Sequence, residues 1–149
     1  MDYLASFAIS AAGMSLERTR VDAAAINLAN ANTVQGADGS TYRPVRVVAQ
    51  AAAANSAFGT VVDQGLMTQM LLRALPEVSI EAANVAPRTV YEPGHPLADT
   101  KGFVRYANVD PATEMVTMMS ATRAYEANLA AMNTARTLAM RALEIGGGA

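Results

Sequence analysis

The side chains best equipped for chemistry in this sequence of 149 residues gather in one short run, Tyr91-Glu92-Pro93-Gly94-His95-Pro96-Leu97-Ala98-Asp99. His95 is the only histidine of the chain. Together with Glu92 and Asp99 it would offer a divalent metal one imidazole and two carboxylates. Those ligand types suit zinc, but the run lacks the helical spacing of a zinc motif. A histidine between Pro93 and Pro96 reads more simply as part of a locked turn. The rest of the chain adds no reactive centre. It has no cysteine, so there is no thiolate nucleophile, no disulfide framework and no thiolate metal site. No serine stands in a Gly-x-Ser-x-Gly elbow. Gly146-Gly147-Gly148 is followed by no helix and so forms no phosphate loop. The sequence therefore predicts no catalytic, cofactor-binding or metal-binding residue, no cofactor, and a chain that is not an enzyme.

The elements around this run fall into three zones, 1–34, 35–107 and 108–149. Between Tyr3 and Asn32 there is no proline and a single glycine, Gly13. Ala5, Ile9, Ala12, Leu16, Thr19, Ala23 and Ile26 recur at spacings of three and four, which places them on one stripe of a helix about 45 Å long. Asn30 and Asn32 are its stop residues, as asparagine tolerates the left-handed conformation. A second helix opens at Asp110, an N-cap, with Pro111 in the first helical position. Its stripe runs through Met115, Met118, Thr122, Tyr125, Leu129, Met132, Ala139 and Leu143, is interrupted by Arg136, and ends at the glycine tail.

The middle zone predicts turns and short strands. Gly36-Ala37-Asp38-Gly39 is turn chemistry, and Tyr42 to Val48 alternates like an edge strand entered through Pro44. Thr60 to Asp63 and Val78 to Ala82 are further strands. Leu66 to Leu75 reads equally as helix or buried strand, Ala49 to Ala54 as a flexible connector, and Val90 to Lys101 as an irregular loop. The expected class is α+β: two long terminal helices packed as a coiled-coil-like pair, with a small β-rich middle region and the two ends forming one domain.

Composition points the helices toward partners. Five Tyr, three Phe and no Trp leave few large residues to anchor a globule, which suits helices buried by neighbouring chains. Between Tyr3 and Asn32 the charged residues are Glu17, Arg18, Arg20 and Asp22, far fewer than a solitary soluble helix carries on its outer face. An alanine-rich composition without interface meaning gives the same count. Met115, Met118, Met119, Met132 and Met140 share one helix and serve either core packing or an adaptable interface. The net charge of −2 is dispersed, with no basic stripe for nucleic acid. No stretch reaches the roughly 18 apolar residues of a membrane span. Asp2 stands where a secretory signal would be basic, so no cleaved signal is expected.

Asn27-Leu28-Ala29-Asn30-Ala31-Asn32-Thr33 resembles the signature that closes the N-terminal helix of flagellar axial proteins and hands over to a Tyr-Arg strand, here Tyr42-Arg43. The insertion Gly36 to Thr41 and the run Val90 to Asp99 are similar to the proximal-rod FlgC type, as is Lys101-Gly102-Phe103-Val104-Arg105. Asn108-Val109-Asp110, Glu114-Met115-Val116 and Ser120 to Asn128 complete the likeness. It leaves out Gln50 to Pro76. The resemblance implies a structural subunit of the flagellar basal-body rod that carries torque from motor to hook. It also implies export through the flagellar type III apparatus to the periplasmic rod without a cleaved signal. Its partners would be copies of itself, other proximal-rod subunits and the adjoining distal rod. The implied motif residues are Asn27, Leu28, Ala29, Asn30, Asn32, Thr33, Tyr42 and Arg43, and the implied loop residues are Tyr91, Pro93, His95, Pro96, Leu97 and Asp99. The assembly stripe would comprise Ile9, Leu16, Ile26, Met115, Met118, Tyr125, Leu129 and Met132. The rival from another class is a small helical adaptor that binds its partner through the methionine-rich helix.

Overall fold

The computed structural model describes residues 3–36, 38–50 and 76–146. The elements in order are α1 (Tyr3–Ala29), β1 (Val45–Gln50), β2 (Glu77–Ala82), β3 (Arg88–Tyr91), β4 (Phe103–Tyr106) and α2 (Pro111–Gly146). This is the α+β arrangement with helical ends that the sequence predicts. The predicted strand at Thr60 to Asp63, the ambiguous Leu66 to Leu75, most of Ala49 to Ala54, and Gly147 and Gly148 lie outside the described residues.

Both inner helix ends are fixed by side chains. The α1 stop works differently from the expected left-handed asparagine, for no residue but glycine has a positive φ among those described. Instead the Asn30 amide donates to the Ile26 carbonyl at 2.8 Å, and Thr33 donates its hydroxyl to Asn30 Oδ1 at 3.2 Å. The side chain thus satisfies a carbonyl that the ending helix leaves open. At the start of α2, Asp110 accepts the Ala112 N–H at 3.2 Å and the Thr113 hydroxyl. The Thr113 hydroxyl first, and then the Ala112 amide, hold the Asp110 carboxyl below the usual carboxylate range.

The strands form two small pairs. β1 pairs with β2, and the Ala83 N–H extends the pairing to the Pro44 carbonyl at 2.7 Å. β3 and β4 are antiparallel, in the register Arg88↔Tyr106, Thr89↔Arg105, Val90↔Val104, Tyr91↔Phe103. The sequence reading placed Val90 and Tyr91 in an irregular loop, whereas pairing with β4 recruits them into a strand. Val104 becomes fully buried there, and Tyr91 meets Phe103 edge to face at 5.3 Å. The far edge of β4 is covered by the chain leaving α1, through the Val34↔Tyr106 bridge and bonds from Gln35 N to Arg105 O at 2.8 Å and Ala107 N to Thr33 O at 2.9 Å.

The described residues divide into two compact units. One is Thr19–Val48 with Ile80–Ala121; the other is the described part of Met1–Arg18, Ala49–Ser79 and Thr122–Ala149. Within the first unit the core is Ala23, Ala24, Asn27, Ala31, Val104, Ala107 and Ala121. Within the second, Ser10 and Glu17 are the buried residues of α1. A Cβ on Gly13 would lie 2.9 Å from the Asn128 amide atoms, so the missing side chain is what lets Asn128 sit against α1.

The helix faces combine buried, half-buried and exposed positions. The most buried side chains of α1 are Ser10, Glu17, Ala23, Ala24 and Asn27; of the apolar stripe Ala23 lies in the core, Leu16 is half-buried, and Ile9 and Ile26 are exposed. In α2 the shielded positions are Glu114, Thr117, Met118, Ala121, Ala124, Asn128, Met132, Ala135 and Ala139, while Met115, Thr122, Tyr125 and Leu129 are exposed. Small and short polar side chains allow a close approach, because the separation of packed helices is set by the side chains at the contact. In α2 most large apolar side chains are exposed, Leu129 at 42%, whereas in α1 Ile9 at 57% and Ile26 are exposed and Phe7, Met14, Leu16, Val21 and Leu28 are half-buried.

Candidate functional site

Asn27 opens the run 27–33 and is 2% exposed in the last turns of α1. Its amide donates to the Val45 carbonyl at 2.9 Å and to Glu114 Oε1 at 3.1 Å. Its Oδ1 accepts the Tyr42 hydroxyl at 2.8 Å and the Val45 N–H at 2.8 Å. One side chain with two donors and two acceptor sites is thereby saturated, and it ties α1 to the start of β1 and to the first turn of α2. Burial, and after it the Glu114 carboxylate, raise the Tyr42 hydroxyl above its ordinary pKa. The phenol therefore remains a donor to Asn27.

The structure brings Asn27 and Tyr42 together, and separately joins Asn30 to Thr33 at the helix exit. Leu28 is half-buried, whereas Ala29 and Asn32 are exposed. Arg43 points elsewhere, donating to Asn84 Oδ1 at 3.1 Å beyond the end of β2. Between motif and strand, the Gly36 to Ser40 turn closes through Gly36 N to Ser40 O at 2.9 Å, with Gly39 at φ 81°. Asp38 accepts the Ser40 hydroxyl at 2.8 Å and the Ser40 N–H at 3.1 Å, and these bonds lower its pKa.

The run around His95 caps the β3–β4 hairpin. Glu92 N bonds Gly102 O at 2.9 Å, His95 N bonds Glu92 O at 3.1 Å, and Ala98 N bonds His95 O at 3.0 Å. The three residues of the sequence-level metal set have separate partners. His95 Nδ1 accepts the Leu97 N–H at 3.1 Å, and Glu92 Oε2 accepts the Tyr106 hydroxyl at 2.8 Å. Asp99 Oδ1 accepts the N–H groups of Lys101 at 2.8 Å and of Phe103 at 2.9 Å. The Phe103 amide is the main cause that lowers the Asp99 pKa, and the bond to Glu92 is the main cause that raises that of Tyr106. Among the described residues no three His, Cys, Asp or Glu side chains gather as a metal set. Of the remaining loop residues, Tyr91, Pro93, Pro96 and Leu97 are exposed.

Sequence reasoning missed Glu114 and Val45 as partners of Asn27, and Tyr106 as the support of the loop. Glu114 stands in the first turn of a helix, where an acid is expected for the helix dipole alone. Nothing local to it signals a partner 87 residues away. The stripe residues divide by exposure: Ile9, Ile26, Met115, Tyr125 and Leu129 are exposed, while Leu16, Met118 and Met132 are half-buried.

Residues 100–145, which hold β4 and nearly all of α2, match the family described as Flagellar basal body rod FlgEFG protein C-terminal. The chain is 37% identical over 146 residues to the flagellar basal-body rod protein FlgC of Escherichia coli O6:H1, covering 98% of this chain and 99% of that protein. It is 37% identical over 147 residues to the FlgC of Salmonella typhimurium, with coverage of 98% and 99%. The chain belongs to the FlgC family of flagellar basal-body rod proteins. Bacillus subtilis FlgC, 31% identical over 148 residues, covers 95% of this chain and 96% of its own length, so the likeness reaches distant bacteria end to end. FlgC proteins are structural subunits of the rod. In this chain the Asn27 centre is a contact that organises the fold. Among the described residues no helix is long and apolar enough to cross a membrane.

Proposed function

We propose that this chain is a subunit of the proximal rod and passes torque from the motor toward the hook. Its terminal segments, 1–34 and 108–149, bundle with the same segments of neighbouring subunits. Zone 35–107, with the loop Tyr91 to Asp99, makes lateral contacts. Its partners are copies of itself, the other proximal-rod subunits and the adjoining distal rod. The chain reaches the periplasmic rod through the flagellar type III export apparatus without a cleaved signal, and it has no catalytic step.

The observation that carries this reading is the exposure of large apolar side chains on both helices, most of all on α2. The fully buried side chains of the two helices are alanines and the polar Ser10, Glu17 and Asn27, while Ile9, Ile26, Met115, Met119 and Leu129 are exposed. Large apolar side chains along the outside of a helix mark a surface to be covered by another protein.

Leu129→Asp tests it. Leu129 is exposed in the subunit, so the variant folds with a stability close to the parent's. In an assembled rod the same carboxylate would be buried without a partner, at a cost of several kcal/mol, roughly. The expected result is a folded, detectable protein absent from purified basal bodies, in cells that do not swim. Normal swimming with the variant present in basal bodies would overturn the assignment of this face.

A further inference from the structure

We propose that the turn from Pro93 to Leu97 is a pH-responsive element whose closed form requires a neutral imidazole at His95. The Leu97 N–H donates to His95 Nδ1 at 3.1 Å. A neutral imidazole keeps one nitrogen as an acceptor, whereas the protonated ring carries an N–H on both and accepts nothing. The closed turn therefore fixes one tautomer, with the proton on Nε2, and protonation at Nδ1 removes the bond. Histidine is the side chain that ordinarily changes charge between about pH 5 and 8.

The surroundings sharpen the effect. The imidazole meets the Tyr106 ring of β4 edge to face, with centroids 6.5 Å apart and planes at 66°. Tyr106 in turn holds the two charged groups of β3 and its end. Glu92 Oε2 accepts its hydroxyl at 2.8 Å, and the Arg88 guanidinium lies 5.5 Å from its ring centre. Asp99, the remaining acid of the turn, is engaged by the amides of Lys101 and Phe103. An imidazolium at position 95 thus adds a second cation beside a ring that already carries Arg88.

The change stays local. The bonds from His95 N to Glu92 O and from Ala98 N to His95 O involve no imidazole atom, and the Val90↔Val104 register is independent of it. Acid releases the tip, Pro96 and Leu97, and leaves the hairpin in place. Leu97 is 50% exposed, so the turn presents its apolar side chain in one position above the transition and in several below it.

The chain has a single histidine, so one titration curve reports the whole event. The experiment follows the imidazole and backbone amide resonances of the purified full-length protein by NMR between pH 8 and 5, beside His95→Phe, which retains an aromatic edge against Tyr106 but cannot titrate. The expected result is a Leu97 amide that shifts along the same curve as the imidazole in the parent and not in His95→Phe, with the Val90 and Val104 amides unmoved in both. A Leu97 amide that stays constant while the imidazole titrates would overturn the proposal. So would one that shifts equally in His95→Phe. The parent titration decides even if the variant does not fold.

Discussion

Replacing Asn27 by alanine removes four hydrogen bonds at once from a site that is 2% exposed. The Tyr42 hydroxyl and the Glu114 carboxylate are half-buried and can turn to water. The N–H and C=O of Val45 are fixed at the start of β1 and lose their partner. A fully buried polar group left unpaired costs about 1–3 kcal/mol, so the two groups of the half-buried Val45 together cost at most about 2–6 kcal/mol. A domain of this size has a total stability of only about 5–15 kcal/mol, so the loss is a large share of it. Asn27→Asp separates donors from acceptors. It keeps an oxygen for Tyr42 and Val45 N–H, but turns a second oxygen toward the Val45 carbonyl and the Glu114 carboxylate. The introduced carboxyl is disfavoured as an anion in the fold, so its folded pKa lies above its unfolded one. The variant's stability therefore falls as pH rises from the unfolded value toward the folded one. Adding Glu114→Gln restores part of the loss by removing the facing charge. Urea unfolding of the purified subunit, at neutral and mildly acidic pH, measures all three. An Asn27→Ala variant within about 0.5 kcal/mol of the parent, the range of an ordinary surface substitution, would refute the view that this amide organises the unit.

Gly13→Ala places a Cβ 2.9 Å from the Asn128 side chain and destabilises by about 1 kcal/mol through overpacking. With Asn128→Ala in the background the same change stabilises by about 1 kcal/mol through helix propensity, and a double-mutant cycle in urea reads the reversal. Gly39 and Gly102 have φ of 81° and 80°, so alanine costs about 1–2 kcal/mol at either from backbone conformation alone. Gly102→Ala also drives its Cβ to 2.9 Å from the Tyr91 ring and 3.1 Å from Pro93 Cβ, whereas Gly39→Ala meets nothing within 4 Å. Thermal unfolding therefore places Gly102→Ala clearly below Gly39→Ala. The depressed pKa of Asp110 contributes stability that is present above its unfolded pKa and is lost as pH falls through its folded one. Asp110→Asn still caps the helix but has no such acid loss, so the melting temperatures of parent and variant converge or cross on acidification.

The helix-bearing ends were legible because their signals are local. Pro111 after Asp110 starts α2 where the sequence places it, and the proline-free run from Tyr3 fixes α1 to within a few residues. The Gly36 to Ser40 turn is equally local, with Gly39 in the positive-φ region. The hairpin was not legible. Val90 and Tyr91 are followed by Pro93, Gly94 and Pro96, and only pairing with Phe103 and Val104 shows that they are strand. The helix faces were legible only in part, and for a physical reason. Periodicity finds the largest apolar side chains and assumes that they meet within the chain. Here the small ones do, against Gly13, Ala24 and Ala121. Of the site, the motif was visible as a string of asparagines, but the four bonds of Asn27 reach Tyr42, Val45 and Glu114, which no local pattern connects to it.

The central claim is that the outward face of α2 is covered in the assembled rod. The chain has no cysteine, so Leu129→Cys introduces a unique thiol at a position exposed in the subunit. Its alkylation is measured in the purified subunit and in purified basal bodies under the same conditions. The account predicts rapid labelling of the free subunit and labelling slowed to a small fraction of that rate in the rod. Equal rates in the two would contradict it.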